Sequence, residues 1–120
     1  MYETYRDRVD FHWIYIREAH ALDSPRPSRT VRIYQPTTYE GRTEVAKTCS
    51  SALKLTIPLL VDSMENTVAL AYDAWPDRLY LLAPGGKIAY GGQPGPWGFR
   101  VDELEAALTA ALPAGRPSVP

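Results

Sequence analysis

Between residues 9 and 17 the apolar side chains fall on both parities of an extended chain. Val9, Phe11, Trp13 and Tyr15 share one face, and His12, Ile14 and Ile16 share the other. This β-branched and aromatic run predicts a strand, and its two apolar faces predict an interior strand covered by helices on each side. Residues 2–8 read as the last turns of a helix. Ser24-Pro25-Arg26-Pro27-Ser28 is a loop by its prolines. The period then lengthens. Val45, Ala46, Cys49, Ala52 and Leu53 recur on one helical face, predicting a helix over 39–54 with Thr37 and Glu40 in capping-box spacing. Residues 57–61 form a short apolar strand. A second helix is expected over 63–73, with Asp62 as its N-cap and Met64, Val68, Ala71 and Tyr72 facing inward. Strands over 78–83 and 87–91, joined by Pro84-Gly85-Gly86, carry a hairpin signature. A glycine-rich loop at 91–98 leads to a last helix over 102–112, opened by Asp102 and Glu105, with Leu104, Leu108 and Leu112 inside.

Strands alternating with helices, then a hairpin and a helix, predict an α/β fold of thioredoxin type, a mixed sheet with flanking helices. The expected organisation is one domain over 1–112 and a flexible tail over 113–120. Trp75-Pro76, just before the hairpin, falls where that fold usually carries a cis-proline, which makes Pro76 the cis-proline candidate.

Composition narrows the function classes. Thirteen Lys and Arg against fourteen Asp and Glu give a net charge of −1, and the basic residues are scattered, so no electrostatic footprint for nucleic acid or an anionic membrane exists. No apolar run approaches the roughly 20 residues of a membrane span, and the charged N-terminus is no signal peptide. A single cysteine allows no internal disulfide, and no Cys/His spacing suits a metal. The expected location is the cytoplasm.

Three stretches together resemble one known family. They are Asp10-Phe11-His12-Trp13-Ile14-Tyr15-Ile16-Arg17-Glu18-Ala19-His20 with Asp23, Val61-Asp62-Ser63-Met64-Glu65-Asn66-Thr67 leading to Ala71-Tyr72, and Asp77-Arg78-Leu79-Tyr80 with Gly86-Lys87-Ile88-Ala89-Tyr90-Gly91-Gly92 and Gly95-Pro96. In this order and spacing they resemble the iodothyronine deiodinases, in the manner of a bacterial-type relative. The resemblance implies a thioredoxin-like thiol or selenol oxidoreductase that removes halogen reductively from a small molecule such as a halogenated aromatic. It implies that Glu18 and His20 handle protons at the catalytic centre and that Arg78 serves the substrate site. It implies a thiol reductant as electron donor and no metal or nucleotide cofactor.

The chain departs from the family pattern in three places. Ser24 and the proline-rich loop follow Asp23 where the family often has Gly-Trp, and Pro36 stands near the position of a substrate-contacting histidine. The first core strand, with the cysteine or selenocysteine at its end, has no counterpart in the 120 residues. A selenocysteine codon taken for a stop, with a start assigned at the next methionine, would produce such a beginning. In a thioredoxin-type sheet the absent strand is central, between the strand over 9–16 and the hairpin strand over 78–83. Those neighbours are then expected to pair directly, to borrow a strand from another chain, or to leave a gap about two 4.8 Å spacings wide. A homodimer is one way to supply the strand.

Each candidate also has a plainer explanation. A proton relay suits Glu18 and His20 because residues two apart past a strand end project to the same side, beyond the carboxyl edge of the sheet, and histidine changes charge near neutral pH. The same pair could simply close hydrogen bonds around a loop. Cys49 on an apolar helix face reads first as core packing and second as a resolving thiol. Arg78 could pair locally with Asp77, and His12 reads as an interior histidine. At the level of function, the alternatives to a dehalogenating enzyme are a non-catalytic thioredoxin-like binding module or gene fragment, and a peroxiredoxin-like reductase.

Overall fold

The computed structural model describes residues 1–28 and 33–112; the tail expected at 113–120 lies outside them. The chain is mixed α/β, and its described strands form two two-stranded sheets. Its residues fall into two compact units, one over 11–75 and one made of 1–10 with the chain from 76 onward.

In the first unit β1 (Trp13–Tyr15) runs parallel to β2 (Leu59–Val61), with Trp13 opposite Leu59, Ile14 opposite Leu60 and Tyr15 opposite Val61. Parallel neighbours need a crossover connection, and α2 (Tyr39–Ala52) supplies it, packing against β2. Tyr15 and Ala46 are buried. On the other face Ile14 and Leu60, a cross-strand pair, keep 36% and 48% of their surface exposed. The two-sided cover expected for this strand is therefore met on one face only. The strand is also shorter than its apolar pattern, because extended residues count as strand only where a ladder partner exists. His12 lies ahead of the ladder and is exposed, which corrects its reading as an interior histidine.

The cap of α2 is Thr38 rather than Thr37. Thr38 is extended, and its Oγ1 accepts from the Gly41 N–H at 3.0 Å. Helix α3 (Thr67–Ala71) starts four residues later than the sequence suggests, because residues 63–66 close a turn through the Asn66 N–H and the Ser63 carbonyl, 2.9 Å apart. Asp62 nevertheless serves this helix. Its buried carboxylate accepts from Ser63 N (2.8 Å), Val68 N (2.9 Å) and Ala69 N (3.0 Å), satisfying first-turn donors that the helix itself leaves without partners. Arg42, only 2% exposed, fixes the same turn from α2. It donates to the carbonyls of Asp62 (3.4 Å) and Ser63 (2.7 Å) and to Asn66 Oδ1 (3.1 Å).

In the second unit α1 (Tyr2–Tyr5) precedes the antiparallel pair β3 (Tyr80–Leu82) and β4 (Ile88–Gly91), and α4 (Val101–Ala111) packs on both strands through buried Leu108. The hairpin turn places Gly85 and Gly86 at φ of 92° and 87°, a region that only glycine enters without steric cost. Asp102 lies inside the first turn of α4 rather than at its cap, and pairs with Arg100 at 2.7 Å. The cis peptide bond among the described residues is Gly95–Pro96, not Trp75–Pro76. The cis assignment for Pro76 is corrected accordingly; an X–Pro bond prefers trans by only about 0.5–1 kcal/mol, so position in a chain does not choose the isomer.

Candidate functional site

Because β1 and β2 are parallel, their carboxyl ends share one edge of the sheet, and the chain leaving β1 crosses that edge. Glu18 and His20 lie on this exit segment. Both line a cavity of about 220 Å³ completed by Ser28, Ile33 and Cys49. The site thus draws on the β1 exit, the proline-rich loop and the middle of α2, all within one unit.

Glu18 is held at three points. Its carboxylate Oε1 accepts from the Tyr15 hydroxyl, three residues back on β1. Its backbone N–H donates to Gln35 Oε1 at 3.0 Å, and its carbonyl accepts from Gln35 Nε2 at 3.0 Å. Gln35 is anchored in turn, its own N–H donating to Asp23 Oδ1 at 2.9 Å.

His20 is oriented by the proline-rich loop. Its Nδ1 lies 2.8 Å from the Arg26 carbonyl, and the Ser28 N–H donates to the His20 carbonyl at 2.9 Å. A carbonyl oxygen can only accept, so Nδ1 carries the hydrogen and Nε2 is the nitrogen left to take or give a proton. The loop read from sequence as a mere connection is thus the element that sets the histidine tautomer.

Two groups here have displaced acidity. Burial, the hydrogen bond to Glu18 and the Glu18 charge together push the Tyr15 phenol well above its ordinary range. Burial and then the Glu18 charge raise the Cys49 thiol. Cys49 is half-buried and faces the cavity rather than sitting wholly in the core, yet it is held as a thiol, the less nucleophilic form.

Arg78, half-buried, and Pro76 belong to the other unit. Tyr15, Gln35 and the Arg26 carbonyl were not singled out by sequence; a hydroxyl three residues before a strand-end carboxylate was the available signal for Tyr15. Among the described residues no group of three or more His, Cys, Asp and Glu could hold a metal ion, and no helix is long and apolar enough to cross a membrane.

Comparison with known proteins places the sequence in a family. The family model for iodothyronine deiodinase matches residues 1–111. The type I iodothyronine deiodinase of Xenopus laevis is 36% identical over 100 residues, which cover 83% of this chain and 39% of that protein. The thyroxine 5-deiodinases of Ovis aries and Homo sapiens are each 35% identical over 105 residues, covering 87% of this chain and 35% and 34% of theirs. The chain therefore spans between a third and two fifths of the length of these relatives. With a match over nearly its whole length, this chain belongs to the iodothyronine deiodinase family.

Proposed function

We propose that residues 1–112 form the proton-handling part of a thioredoxin-like reductive dehalogenase, with Glu18 and His20 as the catalytic pair and Arg78 as a substrate-side cation. The observation that carries this reading is the convergence of Glu18 and His20 on one cavity at the carboxyl edge of the parallel strands, the usual location of sites in α/β sheets. In the proposed reaction a selenolate or thiolate from a segment beyond residues 1–120 takes the halogen from an aromatic carbon. A selenium–halogen or sulfur–halogen bond forms, and the electron pair of the broken carbon–halogen bond stays on carbon. That carbon takes a proton from Nε2 of protonated His20, which is replenished from solvent through Glu18. Two equivalents of a thiol reductant then become a disulfide, releasing halide and restoring the nucleophile. Cys49 does not fit the attacking role, since its surroundings hold it protonated. The protein is expected to work in the cytoplasm on a small halogenated aromatic.

The test is iodide release from iodinated phenols by the longest natural protein containing residues 1–120, with a dithiol as reductant. Glu18→Gln and His20→Asn are each expected to lower kcat by about 10²-fold or more, the scale of general acid–base catalysis. No iodide release, or variants that match the unsubstituted protein, would overturn the reading in favour of a binding module.

A further inference from the structure

The pair of residues around Glu18 has no role in the chemistry just described, and its arrangement is specific. A glutamine carboxamide offers a carbonyl and an N–H on one rigid plane, as a peptide group does. Gln35 uses both against the N–H and carbonyl of Glu18, each at 3.0 Å. Glu18 is three residues beyond the end of β1, where no ladder fixes the backbone. Gln35 therefore does for this residue what a neighbouring strand would do. The side chain is fixed separately, by the buried Tyr15 hydroxyl, which is itself held by the ladder between Tyr15 and Val61.

We infer that Tyr15 and Gln35 are positioning residues for Glu18, with Gln35 fixing its backbone and Tyr15 fixing its carboxylate toward the cavity it shares with His20. The inference rests on the proposed catalytic role of Glu18 for its functional meaning, but the restraint itself is a property of the chain. It follows that the exit from β1 is rigid where an ordinary loop would be mobile. A carboxylate that must pass protons to one histidine gains from this, because a displacement of about 1 Å at a reacting group can lower a rate by about 10²-fold.

The surroundings of Glu18 are consistent with this assignment. From β1 it meets Tyr15, from α2 Cys49, and from its own segment His20 on the shared cavity; the Arg42 charge on α2 acts on Tyr15 in the opposite sense, lowering its pKa. No acidic group among these competes for the Tyr15 hydroxyl. The phenol is held protonated, so it remains a donor to the carboxylate across the whole working range of pH.

Two measurements test the assignment. In the longest natural protein containing residues 1–120, Gln35→Ala is expected to speed hydrogen exchange at the Glu18 amide by about 10-fold or more while leaving α2 and α4 protected. Gln35→Glu keeps an acceptor for that amide and should restore part of the protection. In the full-length protein, Tyr15→Phe is expected to lower kcat for iodide release by about 10-fold with KM within about twofold, the pattern of a misplaced catalytic group rather than of lost binding. Unchanged Glu18 exchange in Gln35→Ala, or a Tyr15→Phe loss confined to KM, would overturn the inference. The exchange result stands apart from turnover. Glu18→Gln retaining full activity would remove the catalytic reading, while lost Glu18 protection in Gln35→Ala would still establish the restraint.

Discussion

At the scale of single residues, the site is a set of couplings around one carboxylate. Cys49 is the only cysteine in the chain, which makes its thiol a clean reporter of the cavity. Burial first and the Glu18 charge second push the thiol pKa above its ordinary value. Glu18→Gln removes the second cause and keeps the first, so the thiol should move partway back toward its ordinary range. Alkylation of Cys49 by iodoacetamide at pH 8 is then expected to run faster in the variant, because the thiolate is the reacting form. An unchanged rate would mean that Glu18 and Cys49 do not feel each other. The strand-end pair Glu18 and His20 was legible in the sequence because residues two apart keep a common side past a strand end. Gln35 and Cys49 were not legible, since they reach Glu18 from 17 and 31 positions away and only the folded chain brings them near. The tautomer of His20 was hidden for a different reason: it is set by a backbone carbonyl, which carries no side-chain signal.

At the scale of elements, local signals fared better than those that depend on partners. Helix α2 and the glycine hairpin form close to where their periodicity and turn chemistry place them. The strands contract to three or four residues because ladder length is decided by neighbours rather than by propensity. Helix α3 shows both effects. Asp62 was readable as a capping residue, but the turn at 63–66 lets it cap from six and seven residues away, which no fixed spacing rule contains. That turn is held from both sides, by Asp62 beneath the helix start and by Arg42 from α2. Arg42→Met would leave two carbonyls and the Asn66 amide oxygen without their donor, at a cost of about 2–4 kcal/mol on the usual scale for unsatisfied buried acceptors. Asp62→Ala would strip three N–H groups of their acceptor, with a cost of similar size. Because both variants release the same turn, the double variant should lose less than the sum of the two, by about 1 kcal/mol or more. Urea unfolding of the two single variants and the double variant measures this directly. Strict additivity would show that Arg42 and Asp62 support separate structures.

At the scale of the whole molecule, the balance of thirteen basic and fourteen acidic side chains leaves little net charge to drive pH-dependent self-repulsion near neutrality. Particular groups should therefore dominate the pH dependence of stability. The exposed pair of Arg100 and Asp102 lowers the Asp102 carboxyl through the guanidinium beside it, but open to solvent it is readily screened. Tyr15 is different, being buried and raised. For a phenol that stays protonated longer in the folded chain than in the unfolded one, the folded state binds more protons above the unfolded value. The stabilisation is complete below a pH of about 10, the ordinary tyrosine value, and is lost as pH rises beyond it. The slope for one such proton approaches about 1.4 kcal/mol per pH unit. Other tyrosines and the lysines also titrate there, so the informative quantity is the difference between the chain and Tyr15→Phe. At pH 8 the variant should be less stable, lacking the hydrogen bond to Glu18. Between pH 10 and 11 the gap should narrow by about 1 kcal/mol, because only the unsubstituted chain carries the Tyr15 penalty. Unfolding free energies for both proteins across pH 8–11 decide the matter: converging curves place the raised phenol at Tyr15, and parallel curves would show that its burial and its bond to Glu18 do not hold the proton.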